Sequence, residues 1–274
     1  MTAYLTDAKE LTAIADAIRE KTGLTDSLSY PLDFIRAVEE YAPPPDRIFG
    51  TALTGDVVWT GQTVRGNVSG SGVTSFYAPN AVDVPTGYSN GRALDFTDCK
   101  SLTAFRAPRL AALSGLNMLL RGCTALQTLD LKSMIWIPEH LASGCTALKT
   151  AVFPNLNGIV YGSAFYMSGL EICDLGGPKI QLSRQSAFAR CGSLHTLILR
   201  SPAAASLSNL NNFSNTPFDN GGTGGALYVP AALISAYQGA ANWSTILGYP
   251  NNRILPIEGS VYETRYADGT EVPR

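Results

Sequence analysis

Leucine recurs along the middle of this chain at a near-constant interval. Leu102, Leu126, Leu148, Leu170 and Leu194 stand 24, 22, 22 and 24 residues apart, in the segments CKSLTAFRAP, CTALQTLDLK, CTALKTAVFP, MSGLEICDLG and CGSLHTLILR. Apolar side chains follow each anchor at the third and fifth positions: Phe105 and Ala107, Leu129 and Leu131, Ala151 and Phe153, Cys173 and Leu175, Leu197 and Leu199. Alternation over so short a run predicts a strand with one buried face. Repetition at a fixed period predicts that these strands stack as a parallel sheet, because one unit cannot bury its apolar face alone. A degenerate unit from Val73 (VTSFYAPNAV) and a last one at Leu227 and Val229 (ALYVP) keep the same phase and bring the strands to seven. The expected fold is an α/β repeat solenoid over residues 73–257, with segments such as LNMLLRGC and GSAFYMSG forming a turn or short helical stretch behind the sheet.

The period changes at both ends. Leu11, Ile14, Ala15 and Ile18 share one helical face between Thr6, an N-cap candidate, and the stop at Gly23; Phe34, Ile35 and Val38 repeat the pattern over residues 31–41. A helical module over residues 1–42 follows, and its apolar positions Leu11, Ile14, Ile18, Phe34, Ile35 and Val38 either cap the first repeats or serve attachment and oligomerisation. Pro43, Pro44 and Pro45 stiffen the exit, so residues 43–72 read as a Pro/Gly-rich linker and N-terminal cap. Beyond the solenoid, Tyr262, Thr264 and Tyr266 alternate ahead of Asp268-Gly269, which predicts a small hairpin or tail over residues 258–274 that packs on the cap or on a neighbouring subunit.

The composition of these 274 residues, 45% hydrophobic but only 15% charged, fits a core-forming chain whose surface rests on hydroxyl and amide groups. A net charge of -2 without a block of Lys and Arg leaves no electrostatic footprint for nucleic acid or an anionic membrane. No run is long and apolar enough to insert in a bilayer. The start, MTAYLTDAKELTAIADAIREKTG, has no basic region leading into an apolar one, so a chain made in the cytoplasm without the standard export signal is expected. Cys99, Cys123, Cys145 and Cys191 occupy one repeat position and Cys173 an inward strand position; none forms a CxxC pair, so all five read as small buried hydrophobes rather than metal ligands. The two histidines, His140 and His195, adjoin no nucleophile motif, and the glycine clusters at 66–72 and 221–225 match no phosphate loop and read as flexible loops. These features call for no cofactor, no metal and no enzymatic activity.

SAFARCGSLHTL from Ser186, with Ala-Phe shortly before Cys-x-x-Leu, resembles the BspA-like leucine-rich repeats of bacterial surface and phage-encoded proteins. LYVPAALISAYQGAANWSTI from Leu227 resembles the unit that ends such arrays. The unit from Tyr161 to Leu175 departs from the pattern, lacking the Cys and one residue. LTAIADAIREKTGLTDSLSYPLDFIRAVEEY, from Leu11, is similar to an N-terminal element of phage and prophage tail-region proteins. Together the resemblances imply a virion tail protein that recognises a host cell-surface protein or glycan, contacts other tail proteins through its N-terminal module and forms a homo-oligomer, a trimer by analogy with tail fibres. A structural spacer without ligand, a bacterial surface adhesin and, last of all, a glycan-active enzyme are the alternatives.

Two surfaces are candidates for that binding. The outward column of the sheet carries Tyr77, Arg106, Asp130, Val152, Asp174 and Ile198, flanked by Lys132 and Arg200 among others; these residues bind a partner or are simply solvated. The insertion from Ser201 to Gly225 offers Asn211, Asn212, Phe213, Phe218, Asp219 and Asn220, amides, a carboxylate and aromatic rings suited to a glycan if exposed.

Overall fold

The computed structural model describes residues 47–50, 52–84, 93–111, 116–182, 184–219, 224–247 and 253–273. The two helices expected within residues 1–42 lie outside them. Every rung places one strand on a main sheet, and all ladder pairs are parallel. β2 (Thr54–Val58), β4 (Gly72–Tyr77), β6 (Ala104–Arg106) and β7 (Thr128–Asp130) form one run. β8 (Thr150–Phe153), β10 (Ile172–Leu175), β12 (Thr196–Leu199), β14 (Ala226–Val229) and β15 (Ile254–Pro256) form the next. The seven strands foreseen from the repeats are all present, and β2 and β15 add a rung at either end.

Segments 116–123 and 162–169 form turns, the first of the two forms expected of them, and the structure adds an element that the repeat pattern did not announce. After the main strand the chain turns a corner into a lateral strand: β9 (Asn157–Ile159), β11 (Lys179–Leu182) and β13 (Ser206–Leu207) form one lateral sheet, and β1 (Arg47–Phe49), β3 (Arg65–Asn67) and β5 (Leu94–Asp95) another. β1, β2 and β3 thus place paired strands within the segment expected to be a Pro/Gly-rich linker and N-terminal cap. Gly66, expected in a flexible loop, stands in β3 at φ 142°, where a Cβ would lie 1.7 Å from the carbonyl oxygen of Ile48.

From the lateral strand the chain returns through left-handed turns to the next anchor. Gly122, Gly144, Met167 and Arg190 take φ of 76°, 75°, 57° and 60° immediately before Cys123, Cys145, Ser168 and Cys191. Each cysteine closes the turn against the preceding rung. The thiols of Cys99, Cys123 and Cys145 donate to the carbonyls of Val68, Phe96 and Leu120 at 3.1 Å, and Cys191 to Phe165 at 2.9 Å. All five cysteines are buried and unpaired, and burial pushes the thiols up, Cys145 to about 12, which keeps them protonated donors.

The shortened unit fits the same ladder by a shift of one residue. Ser168 takes the cysteine's place, with its Oγ 3.3 Å from Cys191 Sγ, and the Gly169 amide donates to the Cys145 carbonyl at 3.1 Å. The chain can cut this corner only because position 169 has no side chain. A Cβ there would sit 2.0 Å from the Thr146 carbonyl oxygen.

Phenylalanines fill the interior as a second stack. Phe165 and Phe188 stack at 5.6 Å, and Phe188 and Phe213 at 5.5 Å. The C-terminal end is closed by α1 (Ile234–Gly239) and α2 (Ala241–Leu247). Tyr237 Oη accepts the Ala205 amide, and Trp243 Nε1 donates to the Ala205 carbonyl, both at 2.8 Å, so the cap satisfies backbone groups that no further rung would reach.

Gly169→Ala is expected to lower stability by more than about 2 kcal/mol. Gly192→Ala, whose Cβ meets nothing within 4 Å, should cost less than about 0.5 kcal/mol. Urea unfolding of the two variants beside the parent checks the difference.

Candidate functional site on the outer sheet face

The outward column runs in strict register through Val58, Tyr77, Arg106 and Asp130 on the first run of strands, and through Val152, Asp174, Ile198 and Tyr228 on the second. Inward neighbours such as Phe76 and Phe105 are locked in the core, so these side chains must face away from it. Their exposure then divides sharply. Val58 and Tyr77 are 40% and 44% exposed and Arg106 is exposed, whereas Val152 is 4% exposed and Asp174 and Ile198 are 0%.

The cover is the chain's own C-terminus. After β15 the tail crosses back over the strands, from Tyr262, whose ring meets Tyr228 edge-on at 4.9 Å, toward β7. Arg200 Nε and Nη2 clasp both oxygens of Asp174 at 2.7 and 2.9 Å. The same guanidinium donates to the tail carbonyls of Tyr262 at 2.7 Å and Arg265 at 2.9 Å, and lies 4.9 Å from the Tyr266 ring centre. Asp174 in turn accepts the Ala267 amide at 3.0 Å. Further along, Lys132 Nζ meets Asp268 at 2.8 Å and Thr270 Oγ1 at 3.0 Å. The tail ends in the small hairpin foreseen from its alternation: Tyr266 donates to Thr270, Val272 donates to Thr264, and Gly269 turns at φ 83°.

Lys132, Asp174 and Arg200 are thus gathered by the tail, with Asp174 fully buried, Arg200 nearly so and Lys132 half-buried. A strand pattern shows which side chains leave the core, but not what later covers them. Burial raises the Asp174 carboxyl above its usual value, and the Arg200 pair draws it back. Burial also works against the Asp268 carboxylate, but its bonds to Lys132 and Thr270 outweigh that and hold it below the usual range.

The open remainder has its own chemistry. Asp56 accepts hydrogen bonds from Ser75 Oγ at 2.7 Å and Thr74 Oγ1 at 2.8 Å, which hold its carboxylate below the ordinary range. Asp130 is half-buried at the boundary, and its Oδ1 is a buried acceptor without a donor. Beside the exposed column, at the corner following the strands, Thr60, Gln62, Asn80, Val82 and Arg109 line a depression of about 390 Å³.

The insertion from Ser201 to Gly225 does not expose its aromatic rings. Phe213 and Phe218 are fully buried, because Asn212-Phe213 occupies the place that Ala187-Phe188 holds one rung earlier and continues the aromatic stack. Asn212 is also fully buried: its Oδ1 accepts the Ala187 amide at 2.9 Å, and its Nδ2 donates to the carbonyls of Leu182 at 3.2 Å and Asn209 at 2.9 Å. Asp219 accepts the Asn215 amide at 2.7 Å, and Asn211 is exposed. Asn220 lies outside the described residues. The segment is a disguised rung, and the spacing from Phe165 to Phe188 to Phe213 was the signal that could have revealed it. Trp136 and Tyr161, half-exposed on the lateral face, were also missed, since only one strand per rung was foreseen.

Stacked parallel strands, one anchor leucine per rung and a thiol ladder define a leucine-rich-repeat solenoid. The family profile described as BspA type leucine rich repeat region matches in six copies, over residues 80–195 and 119–220, together just over half of the sequence, and the chain belongs to this family. A comparison with curated proteins found no match.

Arg200→Met should cost about 3–5 kcal/mol at neutral pH, because it strands a buried carboxylate. The sign with pH follows from that cause. Without its cation Asp174 is more easily protonated in the folded than in the unfolded chain, so the deficit should shrink as pH falls through the carboxyl range. Denaturant unfolding of parent and variant at pH 7 and at about pH 4.5 checks it; a deficit that grows on acidification would contradict this account.

Proposed function

We propose that this chain is a non-enzymatic recognition protein of a phage tail, which holds a cell-surface protein or glycan on the open N-terminal half of its outer sheet face. The observation that carries the reading is the division of that face: Val58, Tyr77 and Arg106 stay exposed in one register-locked row while Val152, Asp174 and Ile198 are covered. A tyrosine and an arginine beside each other on rigid strands are residues that concentrate binding energy at interfaces. Extended faces of this kind are where solenoids commonly bind. The tail assignment rests on the similarity of residues 11–41 to phage tail-region proteins, and a homo-oligomeric, trimeric arrangement through residues 1–42 belongs to the same reading.

The test applies fluorescently labelled full chain to a panel of bacterial strains. Binding to at least one strain is expected, with the Tyr77→Ser/Arg106→Glu double variant weakened about tenfold or more. Lys100→Glu, an exposed charge at the corner before the sheet, should bind like the parent. Absence of binding to every strain, or equal binding by the double variant, would overturn the proposal.

A further inference from the structure

A depression on a different face carries an inference that does not rest on the sheet-face reading. Trp59 and Trp243 are 2% and 1% exposed, which leaves Trp136 as the one tryptophan of the chain's three that solvent reaches. It stands on the lateral face, one residue before Ile137, whose backbone bridges Val160 of the next rung in parallel. With Ile137 and Val160 buried, Trp136 and Tyr161 must both point outward, and their rings meet edge-on at 6.2 Å. Arg184, one rung further, lies over the Tyr161 ring, 5.7 Å from its centre. Trp136, Tyr161, Pro138, Asn117 and Glu139 enclose a depression of about 210 Å³.

The chemistry of this depression is specific. Trp136 and Tyr161, half-exposed, and the buried Pro138 contribute rings to a lining that is polar in larger part, to which Asn117 and Glu139 add an exposed amide and an exposed carboxylate. A ligand that fits must present a flat apolar face and, around its edge, hydroxyl groups that donate to Glu139 and exchange hydrogen bonds with Asn117. The carboxylate disfavours an anion, and Arg184 does not line the space. We infer that the depression is a subsite for one neutral pyranose ring, the class of unit that ends many surface glycans. A shallow site of this size implies a dissociation constant of roughly 1–10 mM for a single ring, strengthened only when several copies act together.

Trp136 is its own reporter. The full chain is titrated with three probes, methyl α-glucopyranoside, methyl β-galactopyranoside and methyl N-acetyl-β-glucosaminide, while emission wavelength and acrylamide quenching are read. At least one probe should shift emission to shorter wavelength saturably and shield the fluorescence from acrylamide. Saturation-transfer NMR with the same probe should lose its signal in Trp136→Ala and show binding about tenfold weaker or more in Glu139→Ala. The Tyr77→Ser/Arg106→Glu variant should bind the sugar like the parent, which separates this site from the sheet face. All variants are first matched to the parent in urea unfolding, and Trp136→Phe replaces any that fails, with weakened binding expected. No response to any probe at concentrations about tenfold above the expected constant, or a transfer signal undiminished in Trp136→Ala and Glu139→Ala, overturns the inference.

Discussion

No rung of this solenoid can bury its own apolar face, and the rest of the structure answers that constraint. Each rung offers an anchor leucine, two inward strand residues and a thiol or hydroxyl, and each is completed only by its neighbours. Backbone pairing runs on two faces at once, the main strands and the lateral strands, while the third side is held by left-handed turns whose cysteines donate to the rung before. A thiol is small enough to be buried there and polar enough to satisfy one carbonyl. Where the chain drops a residue, Ser168 and the bare backbone of Gly169 preserve the same bond pattern. Near the last lateral strand the Ala205 amide and carbonyl are bonded by Tyr237 and Trp243 of the cap.

The outer face obeys a different rule, since its side chains point where no neighbouring rung can cover them. The chain closes half of it with its own tail. A fully buried carboxylate under a guanidinium is costly unless every hydrogen bond is made, and here Arg200 spends its donors on Asp174 and on two tail carbonyls. Removing the tail would therefore uncover a half-satisfied charge pair as well as apolar surface. That coupling makes the tail part of the fold, although it is far from the sheet in sequence, and it concentrates any sheet-face binding on the rungs that the tail does not reach.

Much of this was legible in the sequence because the information is local. The interval between Leu102, Leu126, Leu148, Leu170 and Leu194 announces the rungs, and two-residue alternation announces which side chains turn inward. The lateral strands were not legible: segments such as Lys179–Leu182 are short, and their pairing is decided by stacking rather than by their own pattern. The insertion misled for the opposite reason. Its Asn and Gly content reads as an open loop, yet a single Asn-Phe pair in phase with Ala187-Phe188 is enough to seat it as a rung. Asp174 and Arg200 looked like surface residues because nothing near them in sequence signals a partner; their burial is set by residues 262–267. Trp136 and Tyr161 lay between the strands that the repeat pattern could place, so their common face was invisible until the lateral pairing was known.

The molecule presents one long face and covers the C-terminal half of it with its own tail, leaving the N-terminal half open. Hydrogen exchange on the full chain measures that division directly. The amides of Tyr266, Ala267 and Val272, each bonded in the docked hairpin, are predicted to exchange far more slowly than an unstructured peptide, alongside the protected strands β10 and β12. Exchange of these three amides at unstructured rates while those strands remain protected would contradict it.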